Sequence, residues 1–318
     1  MNMETIYDIV IIGGGPSGLT AGIYASRARM KTLLVEKMAC GGQVLACDTI
    51  ENFPGFPDGI KGPDLADWMS KQAGRFGLEI KTVEAKRIVP KKSEKEPFSI
   101  ELSEGPALKA SAVIIATGAK WNELKVPGEK ELSGRGVSYC ATCDGPLFRG
   151  KDVVVVGGGD TALEDAIFLT KFANKVTIVH RRDKLRAAKI LQERAFASKK
   201  IEMCLGAVCT GISGKARVEA VLVKSVKTGE EKTLKADGVF VMIGLSPNSD
   251  IAKGLVDLCP KSYIKTDEEM KTSVDGIFAC GDVRMKILRQ VVTATGDGAM
   301  AAFSAEHYVE RLKGTECK

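Results

Sequence analysis

Tyr7-Asp8-Ile9-Val10-Ile11-Ile12-Gly13-Gly14-Gly15-Pro16-Ser17-Gly18, opening into the helical stretch Leu19 to Arg29, decides the fold. An apolar run, a tight glycine turn and a helix follow one another without a gap. Gly13, Gly15 and Gly18 stand at the first, third and sixth positions of the turn. They allow the bend, the approach of backbone to a pyrophosphate, and the packing of helix on strand. Pro16 and Ser17 begin the helix, whose N-terminus then faces the phosphates. The next strand, Thr32 to Glu36, closes on an acid whose carboxylate can accept hydrogen bonds from a ribose diol.

The plan is repeated. A strand over Asp152 to Val156 runs into Gly157-Gly158-Gly159-Asp160-Thr161-Ala162, a helix to about Phe172, and a strand over Lys175 to Val179. Gly18 lies 18 residues before Glu36, and Ala162 lies 18 residues before His180, so a histidine replaces the acid of the first copy. His180-Arg181-Arg182, with Arg186 beyond, forms a cationic cluster that attracts a 2′-phosphate, where a carboxylate would repel it. The second site is therefore expected to take NADPH, through Gly157, Gly159, Asp160, Thr161, His180, Arg181, Arg182 and Arg186. The first, with its acid, fits an adenine dinucleotide without that phosphate. FAD is the candidate, because hydride from NADPH must reach something able to pass electrons to a disulfide.

The disulfide candidate is Cys140-Ala141-Thr142-Cys143, with Asp144-Gly145 next, 14 residues ahead of Gly157. Two cysteines two residues apart can close a small ring, and local charge can lower a thiol's pKa until its thiolate attacks other disulfides. Asp144 adds a proton donor. The same spacing is half of a zinc site, but no second CxxC or HxxxH exists and the histidines are His180 and His307 alone, so no metal is expected.

Composition narrows the classes. The 318 residues suffice for two domains, and 44% hydrophobic content with 34 glycines suits an α/β protein rich in turns. A net charge of +6 spread along the chain gives nucleic-acid binding little support. There is no signal peptide and no apolar run of membrane-spanning length, so a reducing, cytoplasmic setting is expected. Cys40, Cys47, Cys204, Cys209, Cys259, Cys280 and Cys317 then default to buried or incidental thiols. The polar stretch Lys91 to Glu96 reads as a solvated turn.

Between the copies lie Phe98 to Leu102 and the strand Ala112 to Ala116, ending in Thr117-Gly118-Ala119. After the second come Val218 to Val226, the turn Thr228-Gly229-Glu230, and the strand Gly238 to Ile243 ending in Gly244. The echo of Ile114 to Gly118 in Phe240 to Gly244 suggests two Rossmann-like domains, the second inserted into the first. The expected boundaries are 1–119 and 247–318 for an FAD domain and 120–246 for an NADPH domain carrying the CxxC. The C-terminal part offers Gly276 to Asp282, where Asp282 is either a turn residue or a cofactor ligand, then Arg289-Gln290 and a helix from about Gly298 to Arg311.

These motifs resemble the low-molecular-weight bacterial thioredoxin reductases from end to end. The resemblance is carried by Gly13 to Gly18, Gly41-Gly42-Gln43, Glu51 to Gly55, Ala116 to Ala119, Cys140 to Gly145, Gly157 to Ala162, His180 to Arg186, Gly281-Asp282 and Arg289-Gln290. It implies that Cys143 receives electrons from the flavin, that Cys140 attacks the thioredoxin disulfide, and that Asp144 is the acid/base. It places Gly42, Gln43, Asn52, Val83, Thr117, Gly118, Gly281, Asp282, Arg289 and Gln290 with the first glycine turn in the FAD site. It further implies a homodimer through the FAD domains, and rotation of one domain against the other about two linker strands. Departures are Cys40 and Cys47 beside Gly41-Gly42-Gln43, and Asp297 between Gly296 and Gly298. His307 reads as a surface-helix residue. Two readings compete with a thioredoxin reductase: a flavoprotein of the same build with another acceptor, and a nucleotide-binding sensor whose CxxC is only a switch.

Overall fold

The structure is a computed structural model that describes residues 5–47, 49–93 and 96–315. Cys317, and Glu94 and Lys95 of the polar stretch, lie outside the described residues. The described chain divides into two units, one built from residues 5–47, 53–120 and 246–315, the other from 49–52 and 121–245.

In the first unit, β1 (Ile6–Ile12) leads through the glycine turn into α1 (Pro16–Arg27), then β2 (Thr32–Glu36), α2 (Gly62–Arg75), β3 (Glu79–Thr82), β4 (Ala85–Val89), β5 (Phe98–Leu102), β6 (Leu108–Ile115) and β7 (Ala119–Trp121). The sheet order is β3-β2-β1-β6-β5-β4. β1, β2, β3 and β6 run parallel, β5 is antiparallel to β6, and β4 is antiparallel to β5. β6 is shared along its length: Leu108 to Ala110 pair with β5, whereas Val113 to Ile115 pair with the late strand β17 (Ile277–Ala279). Its apolar residues are buried on both faces, as a sheet covered on both sides requires. Val10, Ile12, Val113 and Ile115 join one buried cluster with Phe98, Ile100 and Ile264. Ile9, Ile11 and Ile114 are fully buried too, and both α1 and the C-terminal α6 (Val291–Lys313) pack on this sheet.

α6 begins at Val291, a full turn and more before Gly298. The Gln290 side chain accepts from the backbone of Thr293 while Thr293 receives the Gln290 amide, a reciprocal cap that lets the helix start early. α1 stops at Arg27, and Arg29 takes a left-handed φ of 63° at its exit.

The second unit repeats the pattern. β8 (Val137–Ser138), α3 (Ala141–Asp144), β9 (Asp152–Val156), α4 (Asp160–Leu169), β10 (Lys175–His180), α5 (Lys189–Ala197) and β11 (Ile201–Leu205) come first. They are followed by β12 (Ala207–Ser213), β13 (Ala220–Ser225), β14 (Glu231–Lys235), β15 (Gly238–Val241) and β16 (Leu245–Pro247). A parallel sheet is ordered β11-β10-β9-β15-β8, and β12-β13-β14 form an antiparallel sheet. β7 and β16 pair where the chain passes from one unit to the other.

The two copies match bond for bond. Gly13 donates to the Val35 carbonyl at 2.9 Å, and Gly157 to that of Val179 at 3.0 Å. Ala116 donates to Ile12 and Met242 to Val156, each at 2.8 Å. A β-carbon on Gly13 (φ +112°) would overlap the Ala116 carbonyl, and one on Gly157 that of Met242, so glycine is required where each turn passes the neighbouring strand. Among the described residues no helix is long and apolar enough to cross a membrane.

Candidate functional site

The first turn is arranged for an anion. Gly15 is the N-cap of α1 in extended conformation with no side-chain cap, and no atom lies within 4 Å of where its β-carbon would stand. Uncapped amides at a helix start, facing open space, suit a pyrophosphate. Glu36 is already in use: its Oε2 accepts the Gly14 amide at 2.7 Å and its Oε1 that of Met38 at 3.2 Å. The carboxylate is thereby held at the end of β2, with lone pairs left for a diol.

Gly42 approaches closely, its β-carbon position lying 3.3 Å from the Gly15 Cα, and the Gly41 amide donates to the Gly14 carbonyl at 2.8 Å. Gln43 donates through Nε2 to the Ala119 carbonyl. Thr117 Oγ1 donates to the Asn248 carbonyl at 2.7 Å, and Asn248 Nδ2 to that of Thr117 at 2.9 Å, bracing Thr117-Gly118. Val83 is buried and hydrogen-bonded to the Glu36 carbonyl. Gly281 returns beside the first turn, its β-carbon position 2.5 Å from Ser17 Oγ. Asp282 follows, with Oδ1 buried and without a hydrogen-bond partner, and Arg289 lies 4.2 Å over the Tyr263 ring with Nε likewise unpartnered. Orphaned buried polar atoms beside an open helix N-terminus are what a dinucleotide with a polyhydroxyl chain would satisfy, so these residues fit FAD. Asn52 groups with the second unit and not with these residues.

Sequence reading missed Arg284 and Lys286 as members of this neighbourhood. Both bond to Asp297, which the sequence marked only as a departure. Charges at such spacing on a turn read as ordinary surface, and only their burial marks them.

The second turn has the same form. Gly159 caps α4 in extended conformation, without a side-chain cap and with open space beside it. The loop after β10 folds over the glycines: Arg186 N donates to the Gly158 carbonyl at 2.7 Å, and Asp160 Oδ1 accepts the Ala188 amide at 2.7 Å. Asp160 thus braces the arginine loop. Arg181, Arg182 and Arg186 are exposed and free to take a phosphate. His180 differs from its sequence reading as part of the cationic group. Its ring is buried against Gly158, with Nε2 unpartnered. Burial, followed by Arg186, Arg182 and Arg181, lowers its pKa, so the ring is a neutral wall behind three cations. Thr161 is exposed in the first turn of α4.

In the same unit Cys140 and Cys143 form a disulfide with Cα atoms 5.3 Å apart. Cys140 is the N-cap of the single-turn helix α3, and its Sγ accepts the Cys143 amide at 3.2 Å. That amide would stabilise a thiolate on Cys140 after reduction. Ser138, also missed in the sequence, holds the pair from behind: its hydroxyl accepts the Cys140 amide at 3.1 Å and donates to the Cys140 carbonyl at 3.3 Å. Asp144 closes α3, its amide donating to the Cys140 carbonyl at 3.1 Å. α3 packs on α4, where Leu169 and Phe168 crowd Gly145.

Residues 7–298 match the family model described as pyridine nucleotide-disulphide oxidoreductase. Among curated proteins, the thioredoxin reductase of Bacillus subtilis (strain 168) is 48% identical over 99% of this chain and 98% of its own length. That of Listeria monocytogenes is 49% identical over 98% and 96%. Among solved structures, the thioredoxin reductase from Streptococcus pyogenes MGAS5005 superposes with a TM-score of 0.92 at 45% identity, covering 97% of this chain and 100% of that one.

Proposed function

The chain belongs to the pyridine nucleotide-disulphide oxidoreductase family, and from that membership we infer that it is an NADPH-dependent thioredoxin reductase working through FAD and the Cys140–Cys143 disulfide. The observation that carries the reading is the disulfide at the head of α3, in the unit whose glycine turn is flanked by Arg181, Arg182 and Arg186. Bound FAD supplies the transfer of an electron pair from the hydride of NADPH to that disulfide.

The chain's own residues do the rest. In the reduced pair, the Cys140 thiolate, stabilised by the Cys143 amide, attacks the thioredoxin disulfide. A mixed disulfide forms, and one thioredoxin thiolate leaves and takes a proton from Asp144. Asp144, now a carboxylate, takes the Cys143 proton as that sulfur attacks Cys140 Sγ and restores the Cys140–Cys143 bond; the second thioredoxin sulfur leaves as a thiolate and receives that proton from Asp144. One disulfide is reduced and one re-formed per cycle, with a net gain of two electrons and two protons by thioredoxin. The exposed arginines select the 2′-phosphate, and His180, neutral and buried, shapes the wall beneath them. Rotation about β7 and β16 between the half-reactions, a homodimer and a cytoplasmic setting complete the reading.

Anaerobic titration of the yellow protein with NADPH and, separately, NADH, followed by oxidised thioredoxin, tests it. Bleaching of the flavin band by NADPH at low concentration and recovery with thioredoxin is the expected result. Bleaching without recovery would move the acceptor to another molecule.

A further inference from the structure

Asp297 sits on the second turn of α6 with its side chain only 12% exposed, between two glycines, and three donors converge on it. Oδ1 is 3.1 Å from Arg284 Nη1, and Oδ2 lies 2.9 Å from Lys286 Nζ while accepting the Gly281 amide at 3.1 Å. Lys286, 8% exposed, also reaches to 3.8 Å from Asp282 Oδ1, the buried oxygen without a hydrogen-bond partner. Arg284 Nε is held by Thr266 Oγ1 at 2.9 Å. Two cations and two carboxylates, all largely withdrawn from solvent, thus surround a turn of three residues.

Such a cluster is a poor source of stability, because desolvation offsets most of the attraction and an apolar replacement would serve as well. It is an effective means of orientation, since each charge can be satisfied in one arrangement only. We propose that Asp297, acting through Gly281 and Lys286, is a positioning residue that fixes the Asp282 carboxylate for the polyhydroxyl chain of FAD. The Asp297 bond to the Gly281 amide ties the turn to α6. The Lys286 ammonium, anchored by Asp297, provides a counter-charge for Asp282 that works against the upward push burial gives its pKa. Without Asp297, Lys286 keeps only its 3.8 Å contact with Asp282 and loses the bond that fixes it.

The inference rests on reading this as the FAD site, and the test separates the two. FAD affinity would be measured by titrating apoprotein and following flavin fluorescence, alongside the apoprotein melting temperature, for the wild type and for Asp282→Asn, Asp297→Asn, Lys286→Met, Lys286→Arg and the double variant Lys286→Met with Asp297→Asn. Asp297→Asn and Lys286→Met are expected to weaken FAD binding about tenfold or more with the apoprotein melting temperature little changed. Lys286→Arg, which keeps the charge, should retain most of the affinity, and the double variant, which removes anchor and counter-charge together, should bind no better than either single variant. Affinity within twofold of wild type in both single variants, while Asp282→Asn binds poorly, overturns the inference alone. So does loss of affinity only in step with loss of apoprotein stability. A wild-type apoprotein that takes up no FAD, or an Asp282→Asn that binds normally, overturns the site reading itself.

Discussion

His180 is packed so tightly against Gly158 that a β-carbon on the glycine would overlap the imidazole. The pair joins the glycine turn to the end of β10, because the Gly158 carbonyl also holds Arg186 N. Gly158→Ala must expel the ring or lift the loop, an overpacking cost of about 1–3 kcal/mol. A lower melting temperature and a raised KM for NADPH are expected together. A variant matching wild type in both would show that the ring moves freely.

The histidine also carries a pH signature. Its pKa is lowered on folding, so the unfolded chain binds the proton more readily. Its contribution to stability is therefore complete above the unfolded value near 6.5 and is lost as pH falls through that value towards the folded one. Urea unfolding between pH 7.5 and 5 should show a shallower loss of stability in His180→Gln than in wild type. Equal slopes would sink the assignment.

Asp165 on α4 has the opposite sign. Burial, with Glu164 adding repulsion, pushes its pKa up from 3.8 to about 6. The folded state then binds the proton more readily, so stability falls as pH rises from about 4 to about 6 and stays lower above that window. Asp165→Asn should stabilise the protein by about 2 kcal/mol at pH 8 and hardly at all at pH 4. The same gain at both values would remove burial of charge as its cause.

Arg181 and Arg182 offer exposed guanidinium groups beside the second glycine turn. Charge-assisted bonds to a phosphate contribute about 1.5–3 kcal/mol each. Replacing both by Ala should raise the KM for NADPH by about 100-fold and that for NADH by little. Equal effects on both would refute the phosphate role.

Cys143→Ser should purify yellow, because the residues expected to hold FAD, Asn52 apart, lie in the other unit, yet reduce no thioredoxin. Retained turnover in the standard coupled assay would rule out the Cys140–Cys143 pair as the route of electrons.

Both nucleotide turns, the acid at Glu36, the arginines and the CxxC were legible because each is a local pattern. A turn beside a strand, a helix start and a two-residue spacing are dictated by backbone sterics within a few residues, whatever surrounds them. The early start of α6 was not legible, since a reciprocal cap by Gln290 and Thr293 outweighs the glycines that follow. Nor were the partners of Asp297, or the burial of His180. Arg284, Lys286 and Asp297 become an ion cluster only because the turn after β17 folds against α6 and removes water from all three. The His180 pKa is lowered because β10 buries the ring beside Gly158 and three arginines surround it. The sequence alone determined the pair of dinucleotide folds and the redox disulfide. Tertiary structure decided which charges lose their water, and desolvation, a property of the packed neighbourhood, is what sets their chemistry.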